Sequence, residues 1–126
     1  MFKNNPAFQY SHTDGHGARW FVLCSDLKYS MSFNGEGWME IVVPAGFLTD
    51  FASVPRFFWR IFPPIGDYWR SAILHDYLYS QACICSRFLA DSIFRDAMFA
   101  DRVPLWLRVP MYYAVRFFGW INFRKK

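Results

Sequence analysis

Residues 72–79, Ala-Ile-Leu-His-Asp-Tyr-Leu-Tyr, set the hardest condition on the fold. His75 and Asp76 stand side by side in an apolar and aromatic run. Burying such a pair costs free energy unless a hydrogen-bond network or a metal ion satisfies it. Any fold of this chain must therefore bring polar partners into an apolar interior.

The chain before this run reads as strands. Arg19 to Cys24 is β-rich, and Ser25-Asp26 suits a tight turn. Leu27, Tyr29 and Met31 alternate with Lys28, Ser30 and Ser32, the period of a half-buried strand. Asn34-Gly35 signals a hairpin, Trp38 to Val43 returns as a strand, and Phe47-Leu48-Thr49 is a short final one. The chain after Ser53 reads as helices. Ser53 is a suitable N-cap with Pro55 in the first turn, for a helix to about Phe62 stopped by Pro63-Pro64. A second helix runs from Gly66-Asp67 to about Gln81. Ser86 caps a third, Arg87 to about Asp101. A fourth runs from Pro104 toward Phe123, bent at Pro110.

This order predicts an α+β fold: a small N-terminal antiparallel sheet of three to four strands, packed by about four C-terminal helices. With 126 residues, a single domain is expected over 1–126, strand-rich at 8–50 and helical at 53–123. Aromatic residues are 22% of the chain, so some rings must lie near the surface, where a partner can cover them. The polar start, Met1 to Pro6, has no apolar signal region. Arg108 and Arg116 interrupt the apolar tail before it reaches spanning length, so no transmembrane helix is expected. Cys24, Cys83 and Cys85 cannot all pair internally and read as reduced thiols, which suits a cytoplasmic protein.

Four polar side chains fall among crowding apolar neighbours: Asp50 at the seam between sheet and helices, His75, Asp76, and Asp91. Asp91 shares a helical stripe with Phe94 and Met98, and Arg87 lies one turn before it as an ion-pair partner. A histidine nitrogen with carboxylates from Asp50, Asp76 and Asp91 suits a zinc, manganese, iron or magnesium ion. Such an ion activates water for hydrolysis, with Asp76 and Asp50 as the catalytic carboxylates. Ser53 and Arg56 would then hold an anionic substrate group. The other reading makes these residues a buried structural network. His12 and His16, beside the turn Asp14-Gly15-His16-Gly17, read as solvated.

Residues 47–56, 73–79, 87–94 and 111–119 together resemble a phage- and prophage-associated family known as domain of unknown function 1353. The likeness runs from about Val43 to Gly119. Its hallmark, Thr-Asp-x-Ala-Ser-x-Pro, His-Asp and Ala-Asp, falls on Thr49, Asp50, Ala52, Ser53, Pro55, His75, Asp76, Ala90 and Asp91. The resemblance implies a bacterial or phage source, in the host cytoplasm or the virion, and brings no assigned activity. A weaker likeness is to metal phosphohydrolases with a His-Asp pair and a distant Asp. This chain lacks their upstream helical histidine, so that likeness concerns chemistry and not fold.

The last 25 residues, Arg102 to Lys126, hold six basic residues and no acid, whereas the first 101 hold eight basic and ten acidic. Trp106, Arg108, Trp120, Arg124, Lys125 and Lys126 form an expected contact surface for a virion or host protein. Weak adsorption of the C-terminal helix to an anionic membrane is a second use. No nucleic-acid reading motif accompanies the charge. Two functions stand as expectations: a metal-dependent hydrolase of a phosphoester or cell-wall amide, and a non-catalytic accessory protein acting as a virion component or an inhibitor of a host protein.

Overall fold

The computed structural model describes residues 2–4, 6–17, 19–32, 38–49, 69–80 and 85–121. The chain divides into two compact units, Met1–Asp50 and Phe51–Lys126. The first holds the strands and the second the helices, the α+β order expected.

In the first unit the strands are β1 (Phe8–Thr13), β2 (Arg19–Leu23), β3 (Leu27–Ser32), β4 (Trp38–Val43) and β5 (Leu48–Thr49). They form two sheets, not one: β1-β2-β5 and β3-β4, all pairs antiparallel. Leu27, Tyr29 and Val43 are fully buried while Lys28 and Val42 face outward, so the period-two pattern sets which side of the hairpin is covered. The expected turn at Ser25-Asp26 does not pair β2 with β3. There Asp26 accepts from the Ala45 amide at 2.8 Å, and Leu23 accepts from the Gly46 amide at 2.8 Å, which sends β2 toward β5. The predicted Asn34-Gly35 turn lies outside the described residues. The expectation of solvated histidines agrees with the exposed positions of His12, on β1, and His16.

The second unit contains α1 (Trp69–Tyr79), α2 (Arg87–Ala100), α3 (Leu105–Phe118) and a 3-10 turn at Gly119–Ile121. The predicted helix at 53–62 lies outside the described residues. In α1, every residue from Ser71 to Asp76 is buried, as are Leu78 and Tyr79, which marks a helix covered on all sides. In α2, Ala90, Asp91, Ile93, Phe94, Ala97 and Met98 form one buried stripe. Ser86 caps α2 as expected, accepting from the Leu89 amide at 3.1 Å. In α3, Leu107, Met111 and Val115, four residues apart, are the buried ridge. The helix continues through Pro110, where one backbone donor is missing.

The link from α2 to α3 closes tightly. The Val103 amide reaches back to the Met98 carbonyl at 3.0 Å, and Arg102 adopts φ 60°. This is a Schellman-type end, with arginine at the left-handed position that glycine commonly fills.

Candidate functional site: the Asp91 clasp

His75 and Tyr79 lie one turn apart on α1 and so share a face. That face meets Asp91 on α2. One Asp91 oxygen, Oδ1, accepts from His75 Nε2 at 2.8 Å and from the Tyr79 hydroxyl at 2.5 Å. The other, Oδ2, accepts from Arg116 Nη1 on α3 at 2.7 Å. Arg87 Nη1 stands 3.8 Å from Oδ2 and donates to the carbonyls of Val115 and Arg116, at 3.2 and 2.9 Å. The Arg87 guanidinium thus caps carbonyls near the end of α3 as well as facing Asp91. A single carboxylate ties the three helices together.

The site is dry. His75 and Asp91 have 0% of their surface exposed. The imidazole is flanked by the Tyr79 and Phe94 rings, with centroids 4.1 and 4.5 Å away. Burial alone would raise the Asp91 carboxyl, but hydrogen bonds from His75, Tyr79 and Arg116 outweigh it and hold the group below the usual carboxylate range. Burial, reinforced by the bond to Asp91, pushes the Tyr79 hydroxyl well above the ordinary tyrosine range. An ionised carboxylate only accepts, so His75 Nε2 carries the hydrogen. The other ring nitrogen, Nδ1, is buried and has no hydrogen-bond partner among the described residues. It is the one imidazole atom left to bind a proton or a metal ion.

The structure brings two of the predicted site residues together, His75 and Asp91. Asp76 is also buried on α1, about 100° around the helix from His75. Asp50, Ser53 and Arg56 lie outside the described residues, as do Arg124, Lys125 and Lys126. Among the described residues no three histidine, cysteine, aspartate or glutamate side chains form a group able to hold a metal ion. Cys24 and Cys85 carry free thiols, and Cys83 lies outside the described residues.

Sequence reasoning missed Tyr79, Arg116 and Gly119. Tyr79 was legible in principle, four residues after His75 on one helix. Arg116 and Gly119 sit in the last of the resembling blocks, but no spacing rule ties them to Asp91. Gly119 is buried, and a Cβ there would overlap the Tyr79 hydroxyl, with two ring carbons at 3.1 Å. The glycine makes room for the phenol that holds Asp91.

The expected contact residues Trp106 and Trp120 are 64% and 65% exposed. Phe88 and Phe99 on α2, and Leu105, Phe117 and Phe118 on α3, are exposed as well. Arg116 also stacks over Phe88, 5.3 Å from its centroid. No helix among the described residues is long and apolar enough to cross a membrane.

Comparison with known proteins places residues 21–115 in the DUF1353 family, described as a protein of unknown function. The uncharacterized protein y4jT of Sinorhizobium fredii is 32% identical over 123 residues, covering 94% of this chain. The chain spans about a third of that protein's length, 34%. No solved structure matches.

Proposed function

The chain belongs to the DUF1353 family, and from that premise we propose that it is a non-catalytic binding protein whose buried Asp91 clasp fixes three helices and whose exposed aromatic side chains contact another protein. The partner would be a virion component or a host protein. One observation carries the reading: both Asp91 oxygens are taken by protein donors and neither Asp91 nor His75 has exposed surface. Groups so placed hold a fold together. Exposed tryptophan and phenylalanine on α2, α3 and the 3-10 turn supply side chains enriched at protein interfaces.

The test pairs two kinds of variant. Asp91→Asn should lower thermal stability sharply. Trp106→Ala and Trp120→Ala should fold normally and lose co-purification with virions or with one host protein. A lone monomer under all conditions, carrying bound metal, would overturn the proposal.

The unpartnered His75 Nδ1 favours a second reading, a metal-dependent hydrolase of a phosphoester or cell-wall amide. An imidazole held by a carboxylate through one nitrogen and bare at the other is the arrangement of a metal ligand. Asp91 would then position the ring, and Asp76, the next residue on α1, would be the first candidate for a further ligand. Metal analysis of the purified protein decides between the two. Stoichiometric metal that is lost in Asp76→Asn supports the hydrolase. No bound metal, and no thermal stabilisation by divalent ions, removes it.

A further inference from the structure

Away from the clasp, α2 and α3 form a cleft of about 210 Å³ lined by Arg95, Leu105, Arg108, Val109, Tyr112 and Tyr113. Among the described residues its lining supplies two arginines, two tyrosines and no acid. We infer that this cleft binds the phosphate of a small phosphate monoester.

Three observations lead there. First, Arg70, Arg87 and Arg116 of the same unit all meet a carboxylate, whereas neither Arg95 nor Arg108 forms an ion pair among the described residues. No described residue lining this cleft carries a negative charge. Second, both are held in place by aromatic faces. Arg95 lies over Tyr112 at 5.0 Å from the centroid, and Arg108 over Phe99 at 4.9 Å. A guanidinium already stacked loses less freedom when it binds, and its fork matches phosphate oxygens two at a time. Third, the charge pattern selects a position. An adjoining depression of about 290 Å³ shares Arg95 and Arg108 but adds Asp96, whose carboxylate disfavours an anion there. The phosphate would therefore sit on the side whose described lining holds no acid and which Tyr112 and Tyr113 also line. The cleft is smaller than the ~300 Å³ of a full small-molecule pocket, so it fits a phosphate group while the organic part rests on Leu105, Val109 and the tyrosine rings.

The same chemistry is available from a free phosphate ester or from a lipid headgroup. Calorimetric titration of the full chain with AMP, inorganic phosphate and adenosine tests the site. Sedimentation with phosphatidic acid vesicles, against neutral phosphatidylcholine vesicles, tests the source. Saturable binding of AMP and phosphate is expected, weakening as salt rises, with no binding of adenosine. Arg95→Gln and Arg108→Gln should each weaken it about tenfold or more, the loss of one charge-assisted bond, with melting temperatures near that of the parent. Arg95 is exposed, so Arg95→Gln remains informative if Arg108→Gln disturbs Phe99. Preferential sedimentation with phosphatidic acid that both variants lose identifies a headgroup as the source; binding of AMP alone identifies a soluble ester. If adenosine binds as well as AMP, if Arg95→Gln leaves affinity unchanged, or if no phosphate-bearing probe binds below about 10 mM, the inference is wrong.

Discussion

Gly119 leaves out the one carbon that would collide with the Tyr79 hydroxyl: a Cβ there would overlap the oxygen and lie 3.1 Å from two ring carbons. The residue after α3 is thereby coupled to the donor that holds Asp91 on α2. Gly119→Ala must displace the Tyr79 ring or the 3-10 turn. Overpacking of this kind costs about 1–3 kcal/mol. The cost should shrink in the Tyr79→Phe background, where the clashing oxygen is gone. A double-mutant cycle from urea unfolding measures it, and additive penalties would show that the two positions do not meet.

Asp91→Asn should be more damaging. An amide offers one acceptor oxygen and turns a donor NH2 toward groups that themselves donate. Arg116 and Arg87 would be left around a neutral side chain. Breaking a buried ion pair from one side costs about 3–5 kcal/mol. A fall in thermal midpoint clearly larger than that of Arg116→Gln, whose guanidinium is partly exposed, is the expected result.

The clasp also fixes the pH dependence of stability. The folded Asp91 carboxyl is held below its ordinary value, so as pH falls the unfolded chain takes up its proton first. The contribution is complete above the unfolded value of about 3.9 and is lost as pH drops from there through the folded value. Tyr79 behaves in the opposite sense. Its hydroxyl is raised, so its contribution is complete below the unfolded value of about 10 and is lost as pH climbs through the folded one. Urea midpoints across pH should show a steeper acid decline in the parent than in Asp91→Asn. They should show a steeper alkaline decline in the parent than in Tyr79→Phe. Parallel curves would contradict both assignments.

Arg102 offers a gain instead of a loss. It is exposed, and its φ of 60° carries a side chain where glycine is preferred at a helix end. Arg102→Gly should stabilise the unit by about 0.5–1 kcal/mol, the strain relieved less the extra freedom of the unfolded chain. Thermal melts should show a small upward shift; a decrease would mean that the arginine makes a compensating contact.

Much of the fold was legible because its signals are local. The alternation over Leu27, Lys28 and Tyr29 marked the buried side of β3, although Ser30, expected outward, is buried too, and the stripe through Asp91, Phe94 and Met98 marked the inner face of α2. Ser86 announced its helix by residue type and position alone. The strand partners were less legible. Ser25-Asp26 signals a turn but names no partner for β2, which lies between β1 and β5, because pairing depends on backbone bonds between segments far apart in the chain.

The candidate site divides along the same line. By itself the sequence established that Asp91 faces the core and that Arg87, one turn earlier, points the same way, since helical spacing dictates both. Only the tertiary structure decided which nitrogen of His75 meets the carboxylate, that Arg116 reaches Asp91 across 25 residues of chain, and that Gly119 yields its space to Tyr79. Periodicity reports the direction a side chain takes from its own backbone. What it meets there is settled by how separate helices pack, and no interval along one helix encodes that.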